Sequence, residues 1–202
     1  MIRDQGYLFV LVARSDMRAR QLLTDTRNLL DRSHRSVVAH RYTTDSRLRS
    51  YSVPLAAPEF AARDDYGCFS FSWTARGHRH AAGIEVDRWL DGGLNVLLHG
   101  HKGALPAARE RHAGRLRVVL APAPVANQSW NEVLQSWQGV DDQLPLELEV
   151  NDAPLESPEA AIVLDTELPV ACRQLAQAMS LKVPPLGQEY CAAGPLMDAL
   201  DG

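Results

Sequence analysis

Three arginines, Arg14, Arg18 and Arg20, together with Ser15 and Asp16, fall directly behind the continuous apolar run GYLFVLVA. An apolar strand that turns into a helix is a natural place to hold phosphate, because the first N–H groups of a helix are unpaired and its dipole favours negative charge. Guanidinium groups there can pair with phosphate oxygens, while Asp16 brings a like charge to the same spot. A second set of polar residues, His99-Gly100-His101, closes another apolar run, NVLLHG. Strand ends of this kind are where open α/β sheets bind ligands. Two histidines at i, i+2 without a third ligand do not make a zinc site, and no metal is expected. His78-Arg79-His80 is expected in an exposed turn. Ser70 and Ser72 lie on a predicted strand without a G-x-S-x-G elbow, so a nucleophilic hydrolase is not supported.

The elements that must position these residues can be read from periodicity. GYLFVLVA and NVLLHG have the pattern of strands covered on both faces of a parallel sheet. Ser15 or Asp16 can cap the helix whose Met17, Leu22, Leu23, Leu29 and Leu30 lie on one side. SVVAHRYT is a second strand, and APEFAARDD a short helix with Pro58 in its first turn. CFSFSWTA places Phe69, Phe71 and Trp73 on one face of a strand. EVDRWLDGG is a helix stopped by glycines, LPAARERHAG a helix and RLRVVLAP a strand. QSWNEVLQSWQG is a predicted helix with Trp130 and Trp137 on one face, suited to core packing or to a partner. AAIVLDT is a last strand and ELPVACRQLAQAMSL a terminal helix. Strands alternating with helices predict an α/β fold in three layers, α/β/α, around a mainly parallel sheet.

Composition bounds what such a fold could be. The 202 residues, 46% of them hydrophobic, are enough for one domain with a sizeable core. That domain is expected over residues 1–181, followed by a Pro-, Gly- and Ala-rich tail over 182–202, whose Leu196, Met197 and Leu200 could dock on the body. There is no apolar run of membrane-spanning length, and charge comes too early for a secretory leader, so a soluble, cytoplasmic protein is expected. Cys68, Cys172 and Cys191 are odd in number and lack C-x-x-C spacing, which suggests reduced thiols. Residues 1–117 carry 19 Lys+Arg against 12 Asp+Glu, and residues 118–202 carry 2 against 13. This split fits an anion-binding half and an acidic half. The basic residues are scattered rather than gathered into one aromatic-studded segment, which argues against nucleic acid as a partner.

Over roughly residues 6–122, most informatively over 37–122, the chain also resembles a known family, and the ending AAIVLDTELPVACRQLAQAM resembles that family's final strand and helix more weakly. The pieces are AHRY-T, Glu59-Phe60, Ser72-Trp73, Gly77, G-x-E-x-D-x-W-L from Gly83 to Leu90, the strand end at Gly100, and LP-x-AR from Leu105 to Arg109, all in register. They resemble the ribose 1,5-bisphosphate phosphokinases of phosphonate degradation, relatives of guanylate kinase. The resemblance implies a P-loop NTPase fold of the guanylate kinase type. It also implies nucleotide at the first strand–helix junction and a phosphoryl acceptor held around residues 40–85. On this alignment the acceptor groove comprises Arg41, Thr44, Asp45, Arg47, Ser72, Trp73, His80 and Glu85. Asp45 stands where the family has arginine, and His80-Ala81 where it has Tyr-Gly; Arg47 and Arg49 are near enough in sequence to compensate.

The loop itself departs from the family. A phosphate loop needs G-x-x-x-x-G-K-[ST], with glycines for backbone N–H groups to close on phosphate, lysine to neutralise it and a hydroxyl for magnesium. The alignment puts Ala13 on the first glycine, Asp16 and Arg18 on later ones and Ala19 on the lysine, so Ala13, Arg14, Ser15, Asp16, Arg18, Ala19 and Arg20 form an altered loop. The lid, over residues 123–158, is acidic, and no Lys or Arg occurs between Val118 and Cys172. Phosphoryl transfer depends on positioning and charge neutralisation, and one missing arginine costs about 10³ or more in rate. The expectation is a pseudokinase with no catalytic residues and no cofactor. It would bind a sugar phosphate or a protein, perform a regulatory role near phosphonate metabolism, and be compatible with a homodimer. The alternative is an active ATP- and magnesium-dependent kinase making phosphoribosyl diphosphate, with Arg14, Arg18 or Arg20 replacing the lysine.

Overall fold

A computed structural model describes residues 5–13, 16–30, 35–47, 51–121, 162–165 and 167–180. Arg14, Ser15, Arg49, the lid with Trp130 and Trp137, and the tail lie outside the described residues. Strand β1 (Leu8–Ala13) is central, as its unbroken apolar run requires, and Leu8 to Leu11 are fully buried. It pairs in parallel with β7 (Asn95–Gly100) on one side and β8 (Leu116–Ala121) on the other. The parallel sheet is completed by β2 (Ser36–Val38) beside β7 and β9 (Ile162–Val163) beside β8.

Alternation along these strands feeds two cores. Phe9, Leu11, Leu97 and Val119 point to α1 (Asp16–Leu29) and α5 (Leu168–Ser180), meeting Ala19, Leu22, Leu23, Cys172, Leu175 and Met179. Leu8, Val10, Val96, Leu98, Leu116 and Val118 point the other way, to α3 (Glu85–Asp91), α4 (Leu105–His112) and part of a second sheet. This is the expected three-layer arrangement. Each fully buried Leu, Val or Phe contributes roughly 1.5–3 kcal/mol relative to exposure. Polar clasps fix the outer layer: Asn95 accepts from the Tyr7 N–H at 2.9 Å and donates to the Met179 carbonyl at 2.6 Å, where Ser36 also donates. No helix among the described residues is long and apolar enough to cross a membrane.

The second sheet has the order β4-β3-β6-β5, from β3 (Arg41–Thr43), β4 (Ser52–Pro54), β5 (Phe69–Ala75) and β6 (His78–Gly83). Only β3 and β4 are parallel; β6 runs antiparallel to β3 and to β5. The single strand expected over SVVAHRYT is therefore two. The chain changes sheets at Ala39-His40, where Ala39 donates to the Leu97 carbonyl and Arg41 to the Tyr51 carbonyl.

A bulge at Ser70 corrects a second expectation. Phe69 pairs with Gly83 but Phe71 with Ala82, so the two phenylalanines face opposite ways. Phe71 and Trp73 join the main core, whereas Phe69 packs on Phe60 of α2 (Ala57–Asp65), with ring centroids 4.8 Å apart.

Two local features make testable demands. The β5–β6 hairpin turns on two residues, Arg76 and Gly77, both at positive φ (51° and 74°), the geometry of a primed turn that matches strand twist. Gly77→Ala should therefore cost about 1–2 kcal/mol, read as a lower urea midpoint with unchanged slope. Next to the bulge, Ser70 donates to Asp87 at 2.5 Å, and its oxygen lies 3.0 Å from His112 Nε2. The serine has one proton, so His112 must donate from Nε2; its buried Nδ1 has no partner among the described residues. Burial holds His112 down to about 4, outweighing the pull of the Asp87 carboxylate. Between the ordinary histidine value near 6.5 and about 4, the unfolded chain binds the proton that folded His112 refuses, so stability falls as pH drops through that window. Urea midpoints at pH 7 and pH 4.5 should differ less for His112→Gln than for the parent chain.

Candidate functional site

The two sheets meet at the C-terminal ends of β1 and β7, and there the chain gathers its least ordinary side chains. Arg41 on β3 is 1% exposed, a rare position for a charge. Its Nε donates to Ser52 Oγ at 3.1 Å, and its Nη2 lies 3.5 Å from Asp16 Oδ1. Its Nη1 is buried without a partner among the described residues. Burial lowers its pKa against the opposing pull of Asp16 and Asp45, but a guanidinium keeps its charge in any protein.

Asp16, the first residue of α1, faces this cation. Besides Arg41, its Oδ2 lies 3.8 Å from Arg76 Nη1 in the hairpin turn, and its Oδ1 lies 3.9 Å from His99 Nε2. Both carboxylate oxygens are thus turned towards nitrogen.

Aromatic rings wall the remaining side. Trp73 stacks on His80 with centroids 5.6 Å apart; His101 lies 5.0 Å from His80 and 5.9 Å from His99. Thr43 Oγ1 is 2.9 Å from His80 Nδ1, and the Trp73 indole donates to His101 Nδ1 at 3.4 Å. Burial, followed by the Arg41 charge, pushes His80 down to about 4 and His101 to about 3 and holds His99 well below its usual value. At neutral pH the three rings are uncharged, and the formal charges facing one another are Arg41, Arg76 and Asp16.

The alignment-based site residues divide between two places. Asp16, Arg41, Trp73 and His80 come together. Ser72 pairs with Ala81 rather than His80, which puts it on the opposite face of the second sheet, where Tyr42 reaches Glu85 at 3.5 Å. Thr44 is tied to the Arg79 backbone in both directions. Arg47 does not reach the cluster: it makes two side-chain hydrogen bonds to Asp45, at 3.0 and 3.1 Å, and its N–H makes a third. These bonds hold the Asp45 carboxyl far below the usual carboxylate range. On α1, Arg18 Nη2 donates to the Asp165 carbonyl at 3.3 Å, Ala19 is buried in the core, Arg20 is exposed, and Ala13 ends β1 opposite Ala121.

Sequence reasoning missed Arg76, Thr43 and Ser52, and it placed His80 in an exposed turn although it is 2% exposed on β6. The His99/His101 pair was visible, but its companions come from other elements. Among the described residues no group of three or more His, Cys, Asp or Glu is placed to hold a metal ion.

No family model matches the chain. It is 31% identical over 169 residues to the ribose 1,5-bisphosphate phosphokinase PhnN of Yersinia pestis, covering 81% of this chain and 86% of the relative. The enzyme of the same name from Dickeya zeae is 31% identical over 143 residues, 70% of each chain. That from Burkholderia mallei is 39% identical over 94 residues, 46% of this chain and 51% of the relative. Among solved structures, guanylate kinase from Anaplasma phagocytophilum superposes with a TM-score of 0.57 at 15% identity, over 89% of this chain and 87% of that one. The architecture is therefore the guanylate kinase type of P-loop NTPase fold, and by sequence the chain belongs to the ribose 1,5-bisphosphate phosphokinase family.

Proposed function

We propose that the chain is a member of this family that no longer transfers phosphoryl groups from ATP and works by binding a sugar phosphate or a protein partner, in a cytoplasmic regulatory role beside phosphonate metabolism. The observation that carries the reading is the place of Asp16. In the family alignment it stands on a loop glycine, and here its carboxylate lies at the start of α1 against Arg41. A nucleotide's phosphates would have to share that helix end with a fixed negative charge.

The rest of the loop supports the same conclusion. The position aligned with the lysine is Ala19, which is fully buried in the core that also holds Phe9 and Leu22. Arg18, the nearest candidate to replace that lysine, is engaged with the Asp165 carbonyl. Magnesium-ATP therefore does not fit the described residues of this junction.

Calorimetric titration with magnesium-ATP and then with ribose 1,5-bisphosphate, alongside an assay for phosphoribosyl diphosphate, tests this. The expected result is no nucleotide heat at millimolar concentration and no turnover. Micromolar nucleotide affinity with turnover that disappears in the Arg18→Ala, Arg20→Ala double variant would overturn the reading and make the chain an active kinase with an arginine-built phosphate site.

A further inference from the structure

The buried charge of Arg41 is only partly answered by the residues around it. Ser52 takes Nε and Asp16 takes Nη2, at the long end of hydrogen-bond range, while Nη1 is buried without a partner among the described residues. A buried guanidinium donor left unpaired costs about 1–3 kcal/mol or more. Asp16 has two oxygens in one plane, already divided between Arg41 and His99 on one side and Arg76 on the other. A tetrahedral oxyanion presents oxygens in more directions and can address both Arg41 nitrogens at once. The Asp16 side chain is 39% exposed and sits at the first position of α1, so it has open space towards which to swing.

We propose that Asp16 is an internal carboxylate occupant of an oxyanion site built from Arg41, Arg76 and His99, and that removing its charge opens this site to the dianion of inorganic phosphate or of a phosphate monoester. The proposal rests on the reading that this chain retains ligand binding without phosphoryl transfer, and it adds a regulatory element to that site. Two cations and one anion face one another, so Asp16 cancels about half of the attraction a phosphate would otherwise feel. His99 adds a neutral ring whose Nε2 lies 3.9 Å from the Asp16 carboxylate, and Asp45 is kept out of the competition by Arg47.

The test is titration of the full chain with inorganic phosphate at pH 7, for the parent and for Asp16→Asn and Asp16→Ser, two variants that remove the charge with side chains of different size. Both variants should bind phosphate at least about tenfold more tightly than the parent, the factor given by relief of roughly 1.4 kcal/mol of like-charge repulsion. Adding Arg76→Gln to either variant should remove most of the gain, because Arg76 is a surface residue of the turn whose loss leaves the core intact. Unchanged phosphate affinity in both Asp16 variants, or a gain that survives Arg76→Gln, would overturn the proposal. Glucose 6-phosphate in a parallel titration separates a monoester from free phosphate. Magnesium-ATP titration of the parent decides the non-transfer reading separately, because its outcome does not depend on the Asp16 variants.

Discussion

The structure around the candidate site depends on one electrostatic constraint: the charge of Arg41 cannot be neutralised by losing a proton, and it is almost completely removed from water. Such a charge must be answered from within the protein. Ser52 comes from the parallel neighbour β4, Asp16 from the first residue of the helix that follows β1, and the aromatic wall from β5, β6 and the end of β7. Arg41 thus ties the small mixed sheet to the large parallel one. Burial first, and the same charge second, keep the three histidines neutral, since each ring would have to carry a proton out of water and beside a cation.

Around that constraint, the fold divides its cores by register. The bulge at Ser70 lets one strand serve two interiors, sending Phe71 and Trp73 to the parallel sheet and Phe69 to α2. Trp73 reaches His80 and His101 because it shares the face of Arg41 and Thr43. Without the extra residue, Phe69 would share that face and leave Phe60 unpaired. The primed turn at Arg76-Gly77 has a similar positional role. It holds Arg76 in a left-handed conformation costly for a side-chain-bearing residue, and it aims that guanidinium back at Asp16.

Kinship with the ribose 1,5-bisphosphate phosphokinases gives the ancestry of the fold. Asp16 and Asp45 both bring carboxylates beside arginines. The two have different fates: Asp45 is consumed by its neighbour Arg47, while Asp16 faces the buried arginine. Two carboxylates of the same charge therefore differ in their partners, one closed in a local ion pair and the other facing the buried cation.

By itself the sequence determined the strand–helix alternation, the family and the absence of Lys and Arg between Val118 and Cys172. Each of these is written in local apolar period or in residue identity at aligned positions. It also marked Asp16, Arg41, Trp73 and His80. What only the tertiary structure decided is which of the marked residues meet. Ser72, Thr44 and Arg47 look equivalent to Arg41 in a list, but strand alternation, backbone pairing and a two-residue ion pair take them elsewhere. Arg76 and His99 join Asp16 from elements 60 and 83 residues away in sequence. Alternation is readable within one strand, whereas the joining of β3, β5, β7 and α1 depends on crossovers and on a one-residue bulge. A period-two pattern carries no trace of where it will slip.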